Sequence, residues 1–219
     1  MKPSVLLSWS GGKDSAMALE EMERRGERPL LLTTVTEGVE RISMHGVRRQ
    51  LLKLQAESLG CPLEELFLPL PCSNELYEER MGALLTRLAA EGMSRAVFGD
   101  IFLEQVRRYR EERLGRAGFE LLFPLWGIDT ATLARRFIAS GYRAVVVCVD
   151  ARVLDGSFAG RDYDEGFLSD LPAGVDPCGE NGEFHTFVTD GPPFRRPVKV
   201  LKGETVVKEE RFVYCDLTA

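Results

Sequence analysis

Apolar and polar positions along the first half of the chain fall into blocks whose period switches between strand and helix. Val5 to Trp9 is a short continuous apolar run, and Ala16 to Arg25 then repeats at helical spacing before stopping at Gly26. Leu30 to Val35 predicts a second buried strand. Val47, Leu51, Leu54 and the offset pair Leu52 and Leu59 predict a helix that ends at Gly60, ahead of Pro62. Leu66 to Leu70 reads as a third strand and Tyr77, Met81, Leu84, Leu85 and Leu88 as an amphipathic helix. Arg95 to Phe98 is a fourth strand, halted by Gly99-Asp100. This β-α-β-α rhythm predicts an α/β fold built on a Rossmann-like parallel sheet with helices on both faces. Ligands of such sheets sit outside the carboxyl ends of the strands. Ser10 to Ser15, Thr34 to Glu37 and Gly99-Asp100 all fall at such ends and can converge on one nucleotide.

The pattern changes near Pro124 to Ile128. Asp129 caps a helix running through Ile138 to Gly141, Ala144 to Val149 is a valine-rich strand, and a polar, glycine-bearing region follows from Asp150 to Gly182. One helix is predicted near Tyr163 to Leu171. Pro197 to Leu201 and Thr205 to Tyr214 predict a β-hairpin turning at Lys202-Gly203-Glu204. The chain therefore divides into a first domain over 1–126 and a second, smaller α+β domain over 127–219.

Composition narrows the function classes. The formal charge of −6 argues against a general nucleic-acid binder. No apolar run has the length of a membrane span. The amino end enters a strand directly after Met1-Lys2-Pro3, without a signal-peptide pattern. The five cysteines are scattered and none has C-x-x-C spacing, so neither a disulfide framework nor a zinc site is indicated, and a cytoplasmic setting is expected.

Chemistry concentrates in two stretches. In the first, the strand ending at Ser8-Trp9 runs into Ser10-Gly11-Gly12-Lys13-Asp14-Ser15 and a helix begins at once. Adjacent glycines let backbone approach a ligand, and a helix amino end directs unpaired N–H groups and positive dipole at it. The spacing fits neither a Walker A loop nor a dinucleotide fingerprint. A plain strand-turn-helix junction explains one capping residue, not six such positions in a row. The stretch resembles the PP-loop of ATP pyrophosphatases, which cleave ATP to AMP and pyrophosphate. The second stretch is Asp176-Pro177-Cys178-Gly179-Glu180-Asn181-Gly182-Glu183-Phe184-His185-Thr186-Phe187. Its glycines can bring carboxylates close to a ligand, suiting Mg²⁺, an amine or proton transfer. A tight turn with solvated acids is an equal reading on composition alone.

The PP-loop, Ser43-Met44-His45, Phe98-Gly99-Asp100-Ile101, Pro124-Leu125-Trp126-Gly127 and Gly179 to Glu183 together resemble the diphthine–ammonia ligase family across nearly the whole chain. The family's usual Gly-Glu-Gly-Gly-Glu-Tyr-Glu-Thr and Gly-Ala-Ile are altered here at Asn181, Phe184, His185 and Asp100, which marks a divergent branch. The resemblance implies a PP-loop domain of the adenine nucleotide alpha-hydrolase type and a smaller domain closing a cleft against it. It implies that ATP adenylates a carboxylate-bearing acceptor, a small molecule or a modified protein side chain, and that ammonia then forms the amide. On that basis Ser8, Ser10, Gly11, Gly12, Lys13, Asp14, Ser15, Thr34, His45, Gly99 and Asp100 are assigned to the nucleotide. The backbone N–H groups of Gly11, Gly12 and Lys13 hold phosphate. Mg²⁺ falls to Asp14, with Asp100 second, and Lys13, Asp14, Glu180, Glu183 and His185 carry the chemistry. Two rivals stand beside this. A sulfur-transferring tRNA-modifying enzyme would show paired cysteines and a basic surface, and a non-catalytic adenine-nucleotide sensor would not need the second acidic loop. The oligomeric state is left open, a homodimer included.

Overall fold

The computed structural model describes residues 3–42 and 46–219, so His45, assigned above to the nucleotide, lies outside the described residues, as do Ser43 and Met44. The chain forms two sheets. The first is built from β1 (Val5–Ser8), β2 (Leu30–Thr36), the short β3 (Arg41–Ile42), β4 (Leu63–Leu68), β5 (Arg95–Val97) and β6 (Glu120–Leu122). Its parallel strands lie in the order β4-β2-β1-β5-β6, and β3 adds to β2 antiparallel beyond the end of β1. That order reverses direction between β1 and β5, which makes the crevice at their carboxyl ends the place for a ligand. The α/β class and Rossmann-like parallel sheet read from the sequence are those of the structure.

Helices α1 (Lys13–Arg24), α2 (Arg49–Leu59), α3 (Asn74–Ala90) and α4 (Glu104–Gly115) make the crossovers. Helix α1 starts three residues before the apolar periodicity does, because the glycine turn, not a hydrophobic residue, sets its first turn. Gly60 ends α2 in the left-handed conformation expected of a C-cap. Strand β4 lies upstream of its predicted position: it pairs with β2 from Leu31↔Leu63 to Thr36↔Leu68, leaving Leu70 outside and exposed. Helix α4 buries no residue. Its ion pairs are Arg107–Glu111, Arg110–Asp100 and Arg113–Glu78 rather than the Glu104–Arg108 and Glu112–Arg116 pairs that i,i+4 spacing suggests.

The second sheet is antiparallel in the order β8-β7-β10-β9, formed by β7 (Arg143–Asp150), β8 (Phe184–Asp190), β9 (Leu201–Lys208) and β10 (Phe212–Thr218), with α5 (Thr130–Ala139) and α6 (Glu165–Asp170) beside it. The hairpin exists, but its turn is at Glu209-Glu210, both at positive φ, not at Lys202 to Glu204. Gly203 instead marks an irregularity where the register against β10 slips by one residue. One apolar core runs without interruption from Leu7, Trp9 and Met17 to Val146, Phe167 and Phe187, so the two sheets share an interior. A second, smaller core packs Leu6, Leu32, Leu85 and Phe98 on the α3/α4 side of the first sheet.

Candidate active site

Two cavities open at the switch point. The larger, about 430 Å³, lies on the α3/α4 side and is lined by Ser8, Thr34, Tyr77, Met81, Phe98 and Tyr109 among others. It is mostly apolar, as small-molecule pockets are. The smaller, about 240 Å³, lies over the glycine loop and is bounded by Lys13, Asp14, Asp100, Glu180, His185 and Thr186 among others. Ser8, Ser10, Phe98 and Arg110 border both, so the two are adjoining compartments.

The loop is tightly braced. Gly11 sits at φ +78°, and a Cβ at Gly99 would lie 2.8 Å from the Asp14 carbonyl, so β5 can end against the first turn of α1 only with glycine there. Ser15 Oγ donates to the Gly12 carbonyl at 2.8 Å and lies 3.3 Å from Ser10 Oγ. Two of the loop amides assigned to phosphate already have hydroxyl partners. Gly12 N–H donates to Ser10 Oγ at 3.2 Å and Lys13 N–H to Thr186 Oγ1 at 3.1 Å. The second arises because β8 packs its threonine onto the start of α1. Gly11 turns its carbonyl away toward β8, accepting from Val188 N–H at 2.9 Å.

Lys13 is buried, and its Nζ contacts both oxygens of Asp14 at 2.8 Å. Burial alone would lower its pKa, but the Asp14 carboxylate more than offsets this and holds the ammonium charged. Asp100 faces the same cavity, yet both its oxygens are taken by Arg110, at 2.6 and 3.1 Å. The Arg110 guanidinium also lies 4.2 Å from the centre of the Phe98 ring. Among the described residues there is no group of three or more His, Cys, Asp or Glu side chains able to hold a metal by itself.

The second loop divides its labour. Glu180 Oε1 accepts from Ile101 N–H at 2.8 Å, so the acid spans from the second half of the chain to the end of β5. Burial, with nearby Asp14 adding to it, raises its pKa to about 7 against the opposing effect of that backbone N–H. Glu183 is different: 6% exposed, it accepts from Asp176 N–H, Asn181 N–H and Asn181 Nδ2 and so holds the loop in shape. Three donors inside the loop claim the carboxylate that the resemblance assigned to the chemistry. His185 lines the cavity, and burial, with Lys13 nearby, pushes its pKa down to about 4. Cys178 also lines it, but its thiol is pushed up to about 12 by burial. All five cysteines are free.

Sequence reasoning did not mark Gln55, and it gave no role of their own at this site to Arg110, Thr186 or Asp176. Asp176 accepts from Cys178 N–H and Glu180 N–H and so shapes the loop that presents Glu180. Nothing local reveals the partners of Arg110, Gln55 or Thr186, which stand 10, 44 and 173 residues away.

A glycine turn at the switch point of a doubly wound sheet, with a buried lysine lining the smaller of two adjoining cavities, is the architecture of a nucleotide-using protein. The particular family follows from comparison: residues 1–120 match the diphthamide synthase N-terminal domain and residues 129–217 the diphthamide synthase C-terminal domain, and the chain belongs to this family. It is 26% identical over 227 residues to the diphthine–ammonia ligase of Danio rerio, covering 92% of this chain and 88% of that one. The human diphthine–ammonia ligase is 25% identical over 230 residues, covering 94% and 85%. A solved structure described as a predicted subunit of tRNA methyltransferase from Methanocaldococcus jannaschii overlays with a TM-score of 0.43 at 21% identity, over 67% of this chain and 78% of that one. The resemblance to the diphthine–ammonia ligase family read from the motifs is thereby met. Among the described residues no helix is long and apolar enough to cross a membrane.

Proposed function

We propose that this protein is an ATP-dependent ligase that adenylates a carboxylate and converts it to an amide with ammonia. The observation that carries the reading is the polar cavity lined by Lys13 and Glu180, which adjoins a nucleoside-sized apolar cavity across Ser8 and Ser10. Adenosine occupies the larger cavity beside Thr34 and Phe98, and the polyphosphate lies over Ser10 to Ser15. An acceptor carboxylate oxygen attacks the α-phosphorus, the bond to the bridging oxygen breaks, and pyrophosphate leaves with the electron pair. Lys13 and the amino end of α1 stabilise that charge as it develops.

Ammonia nitrogen then attacks the acyl carbon and AMP departs with the acyl oxygen. Ammonium must first lose a proton. Glu180 is the one cavity carboxylate among the described residues without a cation partner, since Asp14 has Lys13 and Asp100 has Arg110. An acid poised at about 7 suits that transfer. Asp14 and Asp100 fit Mg²⁺ only together with phosphate oxygens, which is how Mg²⁺ is commonly held. The ion supplies charge neutralisation on the polyphosphate.

The test is incubation with Mg²⁺-ATP, ammonium and a panel of carboxylates, diphthine-bearing protein included. Acceptor-dependent AMP, pyrophosphate and amide are the expected products. Release of ADP and phosphate, or dependence on a thiol donor and tRNA, overturns the reading.

A further inference from the structure

The Gly11 carbonyl is held from two sides, by Val188 N–H at 2.9 Å and by Gln55 Nε2 at 3.0 Å. Gln55 is completely buried. Its Nε2 also donates to the Val188 carbonyl at 2.6 Å, and its Oε1 accepts from the Trp9 indole N–H at 3.1 Å. The amide orientation is forced, because two carbonyls require the NH₂ group and an indole N–H requires the oxygen. One side chain on α2 thus ties together the end of β1, the glycine turn and β8.

A peptide unit is planar and trans, so the Gly11 C=O and the Gly12 N–H point in opposite directions. Fixing the carbonyl against Gln55 and Val188 therefore aims Gly12 N–H the other way, toward Ser10 Oγ and the smaller cavity that Gly12 lines. A Gly-Gly peptide is the easiest of all to rotate, since neither residue has a Cβ to restrict it. A Cβ at Gly11 would lie 2.7 Å from Gln55 Oε1, so glycine and glutamine fit as a pair.

We propose that Gln55 is the positioning residue of the phosphate loop. It holds the Gly11–Gly12 peptide with its N–H toward the polyphosphate, and through Val188 it ties that orientation to the strand carrying His185 and Thr186. The inference rests on the nucleotide reading above and goes beyond it by naming what keeps the loop competent when empty.

The test uses the full chain and three probes: ATP, inorganic pyrophosphate and adenosine. Gln55→Met keeps the length of the side chain and removes its hydrogen bonds. It should bind ATP and pyrophosphate about ten-fold more weakly or worse, while adenosine binding stays within about two-fold. Gln55→Glu supplies a second check. Ionised, it sets an acceptor against two carbonyls; protonated, it donates to one of them. Its pyrophosphate deficit relative to wild type should therefore shrink as pH falls, whereas the Met deficit stays constant. Wild-type pyrophosphate affinity in Gln55→Met, or equal weakening of all three probes, overturns the proposal. If the Met variant does not fold, a Glu variant whose affinity tracks wild type at every pH overturns it. Wild-type protein that binds neither ATP nor pyrophosphate overturns the nucleotide reading itself, a result distinct from the others.

Discussion

The backbone N–H of Lys13 donates to the hydroxyl of Thr186, 173 residues later in the chain. This bond joins the first turn of α1 to β8, and both residues are buried. Thr186→Val keeps the shape and removes the acceptor, leaving a buried N–H unsatisfied. The variant should lose about 1–3 kcal/mol of unfolding free energy in the absence of nucleotide. Urea denaturation of the two proteins measures the difference. Equal stability would mean the loop amide finds another partner without cost.

Lys13→Met tests the charge at the loop. The ammonium is the cation nearest the developing pyrophosphate charge in the proposed reaction, and losing one such stabilising group slows acyl or phosphoryl chemistry by about 10²–10³-fold. AMP and pyrophosphate formation should fall by that order, with adenosine binding little changed, because the base pocket lies on the other side of Ser10. Quenched-time-point nucleotide analysis and an adenosine titration read both. A variant that still forms AMP at the wild-type rate removes Lys13 from the chemistry.

Glu180 makes a pH prediction. Its pKa stands at about 7, so the proton-accepting form grows in as pH rises through neutrality. Glu180→Gln should lower amide formation about 10²-fold at pH 8. The ratio of wild-type to variant rates, which cancels the rising fraction of free ammonia, should climb with pH and level off above about 7. A flat ratio sinks the role in proton transfer.

His185 makes stability depend on pH on the acid side. Its folded pKa, about 4, lies below the unfolded value of 6.5, so the native state resists protonation. Its contribution is fully present above 6.5 and is lost as pH falls toward 4. His185→Gln should flatten the stability curve across that window by up to about one proton. Urea midpoints at stepped pH check it. An unchanged slope would show that the imidazole takes up its proton as readily in the folded protein as in the unfolded chain.

How much of this was legible in the sequence depends on range. The parallel sheet was legible because its strands and helices are each marked by local periodicity and by glycines such as Gly26 and Gly60. The phosphate loop was legible because six of its determinants are consecutive. Glu180 and Glu183 looked alike in the sequence, and only the fold separates the one that faces a cavity from the one consumed by its own loop. Asp100 read as the second Mg²⁺ candidate, and nothing in the sequence reveals that Arg110, on the next helix, returns to cover it. Gln55 carries no local signature, and Thr186, though inside the second stretch, gives no sign of its partner there, since both roles exist only once β8 has packed against the loop. The hairpin turn was misplaced because Lys202-Gly203-Glu204 has the glycine that turns prefer, whereas the real turn uses two glutamates.

That turn is open to improvement. Glu209 and Glu210 have φ of +53° and +50°, the left-handed conformation demanded at both central positions of a type I′ connection. Residues with a Cβ and no short hydrogen-bonding side chain adopt it at a cost of roughly 1 kcal/mol each. Asparagine tolerates it and glycine adopts it freely, which is why Asn-Gly dominates such turns. Glu209→Asn with Glu210→Gly should therefore stabilise the protein, by about 0.5–1.5 kcal/mol after allowing for the greater freedom glycine gives the unfolded chain. The turn lies on the rim of the second sheet, apart from both cavities, so ATP turnover should not change. Thermal denaturation of the double variant gives the answer: a lower midpoint would mean that the glutamates do not hold this backbone conformation in solution.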